Sequence, residues 1–107
     1  PGDPIIAKNR GGGYQACGWI FSRHDKFRHK ALTKYFEPPG PCGLDQVERL
    51  KGVFRSDQGW YVIDRVRREI NITPISYRRD SRVEIILPDT KEVDWSKISA
   101  DLLGFLN

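Results

Sequence analysis

The stretch Gly59 to Ile70, GWYVIDRVRREI, constrains this chain more than any other, because reading it as a strand or as a helix leads to different molecules. As one strand it places Trp60, Val62 and Val66 on a face shared with Asp64 and Arg68, so the alternation expected of a half-buried strand breaks. As a helix, at about 100 degrees per residue, Trp60, Ile63, Val66 and Ile70 gather on about a third of the circumference. Tyr61, Arg65 and Arg68 then lie on the opposite side, with Arg67 near the boundary. Asp57 precedes the stretch as a candidate N-cap. The pattern predicts a helix.

The flanking segments can be read by the same rules. Residues 1–13 combine Pro, Gly and charge and predict a flexible lead-in. YQACGWIF, Tyr14 to Phe21, alternates as a short strand. A first helix is expected over 25–37, with Ser22 or Asp25 as cap and Phe27, Ala31, Leu32, Tyr35 and Phe36 on one face. PPGPCG ends it, because proline lacks an amide donor and the residue before a proline avoids the helical region. Leu44, Val47, Leu50 and Phe54 predict a second helix over 44–55. ITPISY and RVEIIL flank the polar turn RRDS and predict a hairpin in which Ile75 and Tyr77 face Val83, Ile85 and Leu87. A last helix starts at Asp94 and carries Trp95, Ile98, Leu102, Phe105 and Leu106 on one stripe.

The predicted order is strand, helix, helix, helix, hairpin, helix. Over residues 25 to 88 this resembles the element order of a winged helix-turn-helix, in which a third helix is presented beside a β wing. The expected fold class is therefore α+β: a winged helix-turn-helix-like core of three helices plus a β-hairpin wing, with an N-terminal strand and a C-terminal helix. Residues 14–107 would form this as one winged-helix-like domain after the lead-in, a size that can bury a modest core. With 38% hydrophobic and 30% charged residues the composition is that of a folding chain. The absence of methionine predicts a piece of a larger parent polypeptide. No apolar run has the length of a membrane span, no secretory signal opens the chain, and two cysteines are too few for a disulfide framework. A cytoplasmic or nuclear setting with no membrane contact is expected.

Charge is unevenly distributed. Residues 8–34 carry seven Lys/Arg against one acid, and residues 83–107 carry two against five. In the expected fold, Tyr61, Arg65, Arg67 and Arg68 of the third helix would combine with Arg78, Arg79 and Arg82 of the wing, and Arg23, Lys26 and Lys30 would extend the surface. Such clustering suits phosphate contacts, since each neutralised phosphate releases counterions. The expected function is a non-catalytic nucleic-acid-binding module, for DNA or RNA. The alternatives are a protein-protein interaction module using the same helix and wing or the C-terminal helix, and a small metal-independent ribonuclease-like domain built on His24 and His29. Cys17, His24, His29 and Cys42 match a zinc site in number but not in spacing, as no C-x₂-C turn is present. No phosphate loop, nucleophile elbow or H-E-x-x-H occurs, so no cofactor and no catalytic residue is expected.

Overall fold

The computed structural model describes residues 3–41 and 43–107. Its body is a six-stranded, wholly antiparallel sheet in the order β1-β2-β6-β3-β4-β5. The strands are β1 (Ile5–Gly11), β2 (Tyr14–Ile20), β3 (Arg49–Ser56), β4 (Gly59–Val66), β5 (Glu69–Pro74) and β6 (Arg82–Pro88). Two helices, α1 (His29–Phe36) and α2 (Trp95–Leu103), complete it, with a single 3-10 turn at Leu44–Gln46.

The three-helix winged core does not form. Leu44, Val47, Leu50 and Phe54 are all buried, but through the 3-10 turn and β3. Within β3, Leu50, Gly52, Phe54 and Ser56 point inward while Arg49, Lys51, Val53 and Arg55 point outward. Gly59–Ile70 is not a helix either. A turn at Arg67 and Arg68 divides it into β4 and β5, so Asp64 falls on the outward face of β4 and no alternation is broken. The hairpin wing is also absent, because β5 pairs with β4 and β6 inserts between β2 and β3. Within the segment read as a flexible lead-in, residues 5–11 form β1, joined to β2 through Gly12 and Gly13. These two have φ of 60° and 87°, the left-handed values that a two-residue hairpin loop requires.

Both helices pack on one face of the sheet. Trp95 of α2 meets Trp19 of β2 edge-on at 5.9 Å, and the Trp19 indole donates to Ser99 Oγ at 2.7 Å. Phe36 of α1 lies 5.9 Å from Phe54, which also meets Phe27 edge-on at 5.1 Å. Each such pair adds about 0.5–1.5 kcal/mol beyond the burial of its rings. Asp94 caps α2 by accepting from the Lys97 amide at 3.0 Å. Asp57, in the β3–β4 turn, accepts from the His29 amide at 3.0 Å and so serves the start of α1 instead of a third helix. Tyr35 of α1 donates to Asp101 of α2 at 2.9 Å, fastening the helices to each other.

Gly52 sits where the helical layer presses on the sheet. A Cβ there would stand 2.5 Å from the Phe54 ring and 3.2 Å from the Arg82 carbonyl. Gly18, on the other face, would meet only the Val83 carbonyl at 3.7 Å. Gly52→Ala should therefore lower the unfolding free energy by about 1–3 kcal/mol in a denaturant titration. Gly18→Ala should shift it by less than about 1 kcal/mol. Equal effects would contradict the assignment of the two faces.

Candidate functional site

The face of the sheet away from the helices is open. Strand register places Ile5, Ile20, Arg82, Val53 and Val62 in one cross-strand row, and Ala7, Gly18, Glu84, Lys51 and Asp64 in the next. Ala7 and Gly18 contribute almost no side chain, so the sheet is hollowed there. The result is a trough of about 450 Å³ floored by Ile5, Ala7, Gly18, Ile20 and Val53 and rimmed by Lys51, Arg82 and Glu84. Ile5 is 66% exposed, an unusual degree for an isoleucine on a sheet.

A second hollow lies at the end of the same face. To reach its place between β2 and β3, the chain after β5 crosses the ends of β4 and β3. The Ile75 amide donates to the Trp60 carbonyl at 2.9 Å, and Tyr77 packs edge-on against Trp60 at 5.6 Å. Ser81, itself buried, closes the crossing: its hydroxyl accepts from the Arg55 amide at 2.9 Å and its carbonyl from the Phe21 amide at 2.9 Å. Arg23, His24, Arg55, Trp60 and Tyr77 thereby line a cleft of about 240 Å³.

The residues singled out from sequence do not form one surface. Arg65 is fully buried on the helical side of β4, where its guanidinium donates to the Arg67 carbonyl at 2.6 Å and the Phe36 carbonyl at 3.2 Å. Burial first, and the like charge of Arg68 second, hold it below the usual arginine range, with Asp45 opposing. Tyr61 also lies on the helical side, tilted against the His29 ring at 4.4 Å. Arg67 occupies the strained left-handed position of the β4–β5 turn at φ 53° and is held there by Glu48, at 3.0 Å through its guanidinium and 3.2 Å through its amide. Arg68 is exposed beside it. Arg78, Arg79 and Arg82 belong to the other end of the sheet, with Arg82 tied to Asp80 at 2.7 Å. Arg67 and Trp60 are seven residues apart along an extended strand, so the two basic groups are separated by roughly 20 Å. Arg23 lines the cleft, Lys26 is exposed in the loop after it, and Lys30 is exposed on α1. Arg55, Trp60 and Tyr77 were missed as a group. The signal was SDQG at 56–59, a turn that pairs β3 with β4 and sets Arg55 opposite Trp60.

The candidate metal ligands do not gather. Cys17 is buried at the centre of β2, and burial pushes its thiol up to about 11, with Lys8 opposing slightly. A thiol so placed is a core side chain rather than an available thiolate. His24 lines the cleft with Trp60, whereas His29 contacts Tyr61 and Ser56 Oγ. Trp60 and Tyr61 are adjacent in a strand and point to opposite faces, so the two histidines cannot share one phosphate as a ribonuclease would need. Cys42 lies outside the described residues. Among the described residues no three His, Cys, Asp or Glu side chains are placed to hold a metal ion, and no helix is long and apolar enough to cross a membrane.

No family profile and no solved structure matches the chain. It is 36% identical over 96 residues to the zinc chaperone YeiR of Escherichia coli (strain K12). That alignment covers 89% of this chain and 27% of YeiR, so the chain spans about a quarter of the length of the curated relative it matches. The nucleic-acid reading is overturned on both counts: the helix and wing that were to assemble its arginines do not exist, and the relative is named a zinc chaperone.

The structure separates two neighbouring arginines by role. Arg65→Ala would leave two carbonyls without their donor and a hole under α1, and should lower stability by about 3 kcal/mol or more. Arg68→Ala should change it by about 0.5 kcal/mol or less. Comparable effects in thermal or denaturant unfolding would contradict this placement.

Proposed function

We propose that this chain is a β-sheet module of a zinc-handling protein and that it contributes a partner-recognition face rather than the metal ligands. One observation carries the reading: almost the whole chain aligns with a 27% portion of a zinc chaperone, yet its described residues bring no set of metal ligands together. What they do present is an uncovered sheet face with an apolar trough and a rim of mixed charge. A protein that hands a metal on must recognise its recipient, and a concave apolar surface bordered by charge is a common way to do so. In this reading zinc is cargo, held elsewhere in the longer protein, and the module is not an enzyme.

Gly18 offers the test, since it has room for a side chain without disturbing the strand beneath. Gly18→Val should fill the trough. In the longer protein, the variant should bind as much zinc as the parent but fail to support growth of zinc-limited cells that depend on it. Titrated alone against a chromogenic zinc chelator, the 107-residue chain should leave the zinc with the chelator. Stoichiometric capture of zinc by the chain, or full support of growth by Gly18→Val, would contradict the proposal.

A further inference from the structure

The cleft at the end of the open face has a composition that its own chain does not complete. It is lined by Arg23, His24, Arg55, Trp60 and Tyr77, with no carboxylate among them. Of the acids on neighbouring segments, Asp57 accepts from the His29 amide, Asp80 pairs with Arg82 at 2.7 Å, and Asp25, two residues after Arg23, is buried and does not line the cleft. Among the described residues, neither Arg23 nor Arg55 belongs to an ion pair. Arg55 is nevertheless positioned. Ser81 holds its backbone at 2.9 Å, and its guanidinium reaches the Arg23 carbonyl at 3.5 Å, which brings the two side chains to one wall. Trp60 and Tyr77, inclined at 75°, form an angled aromatic corner on the other side. Arg78 and Arg79 follow Tyr77 directly and are exposed. Planar guanidinium groups recognise carboxylates, and an aromatic corner accepts an apolar side chain.

We propose that this cleft binds an acidic peptide segment of a partner protein, with carboxylates on Arg23 and Arg55 and a neighbouring apolar side chain against Trp60 and Tyr77. The inference rests on the reading of the open face as a partner surface and names the chemistry of what docks at one end of it. Charge complementarity selects the occupant. The cleft is too small for a folded element, and its unpaired charge is positive throughout.

The experiment uses the full chain and a fluorescein-labelled peptide of repeating Glu-Glu-Leu, with the Gln-Gln-Leu repeat as its neutral counterpart, followed by anisotropy at low and moderate salt. The acidic peptide should bind, weaken as salt is raised, and outbind the neutral peptide. Arg23→Gln with Arg55→Gln should reduce affinity by about tenfold, as expected for two partly exposed ion pairs. Tyr77→Ala, at a residue 73% exposed and therefore safe for folding, should reduce it several-fold. Gly18→Val, in the trough, should leave it unchanged. Equal binding of the two peptides, or undiminished binding by the double arginine variant, would overturn the proposal. If the acidic peptide does not bind while Gly18→Val still abolishes growth, the cleft assignment falls and the partner-surface reading stands. If neither has an effect, both fall.

Discussion

A six-stranded sheet has two faces, and this chain has helix enough for one. Six strands spaced about 4.8 Å apart span roughly 24 Å, and two helices packed about 10 Å apart cover that width once. Both α1 and α2 are used on the same side, anchored by Trp19 against Trp95 and by Phe54 against Phe36. Everything else follows from that allocation. The inward rows of β2, β3, β4 and β6 can be aromatic and aliphatic, while the outward rows must meet water or a partner. They do so with a mixture that suits neither fully: Ile5, Ile20, Val53 and Val62 beside Lys51, Arg82 and Glu84.

The electrostatics divide in the same way. The described ion pairs, Arg49 with Asp64, Arg67 with Glu48, Arg82 with Asp80 and Lys97 with Asp101, are all at the surface and contribute little stability individually. Arg65 is different in kind. Its guanidinium joins the end of α1 to the β4–β5 turn through two carbonyls, which explains how a turn with a strained arginine at its tip is kept in place. The unpaired cations Arg23 and Arg55 belong to neither group. They meet where Arg55 reaches the Arg23 carbonyl and Ser81 bridges the Phe21 and Arg55 amides.

Part of this was legible from sequence. The strand at Tyr14–Ile20, the apolar side of α1 and the whole of α2 with its Asp94 cap are local features whose period and punctuation agree. The middle of the chain was not legible, for identifiable reasons. Leu50 and Phe54 are four residues apart, a spacing that puts two side chains on one face of a helix and equally on one face of a strand. The Arg67–Arg68 turn contains no glycine, proline or asparagine, and its left-handed residue is held by Glu48, 19 residues earlier at the entry to β3, so nothing local announces it. Burial of Arg65 inverts the assumption that arginine marks the solvent side. Pairing of β6 with β2 and β3, in place of the adjacent β5, is a long-range choice that hairpin reasoning cannot make. The cleft inherits that difficulty, since its walls come from four separate segments.

The likeness to a zinc chaperone and the shape of the open face meet in one claim, that the uncovered side of the sheet is where this module touches another protein. Hydroxyl-radical footprinting of side chains tests it most directly, comparing the proposed zinc-handling protein free and mixed with a proposed zinc recipient. Modification should fall at Ile5, Ile20, Trp60 and Tyr77 and stay unchanged at Leu103 and Phe105 of the helical side. Protection of Leu103 and Phe105 with Ile5, Ile20, Trp60 and Tyr77 still freely modified would contradict it.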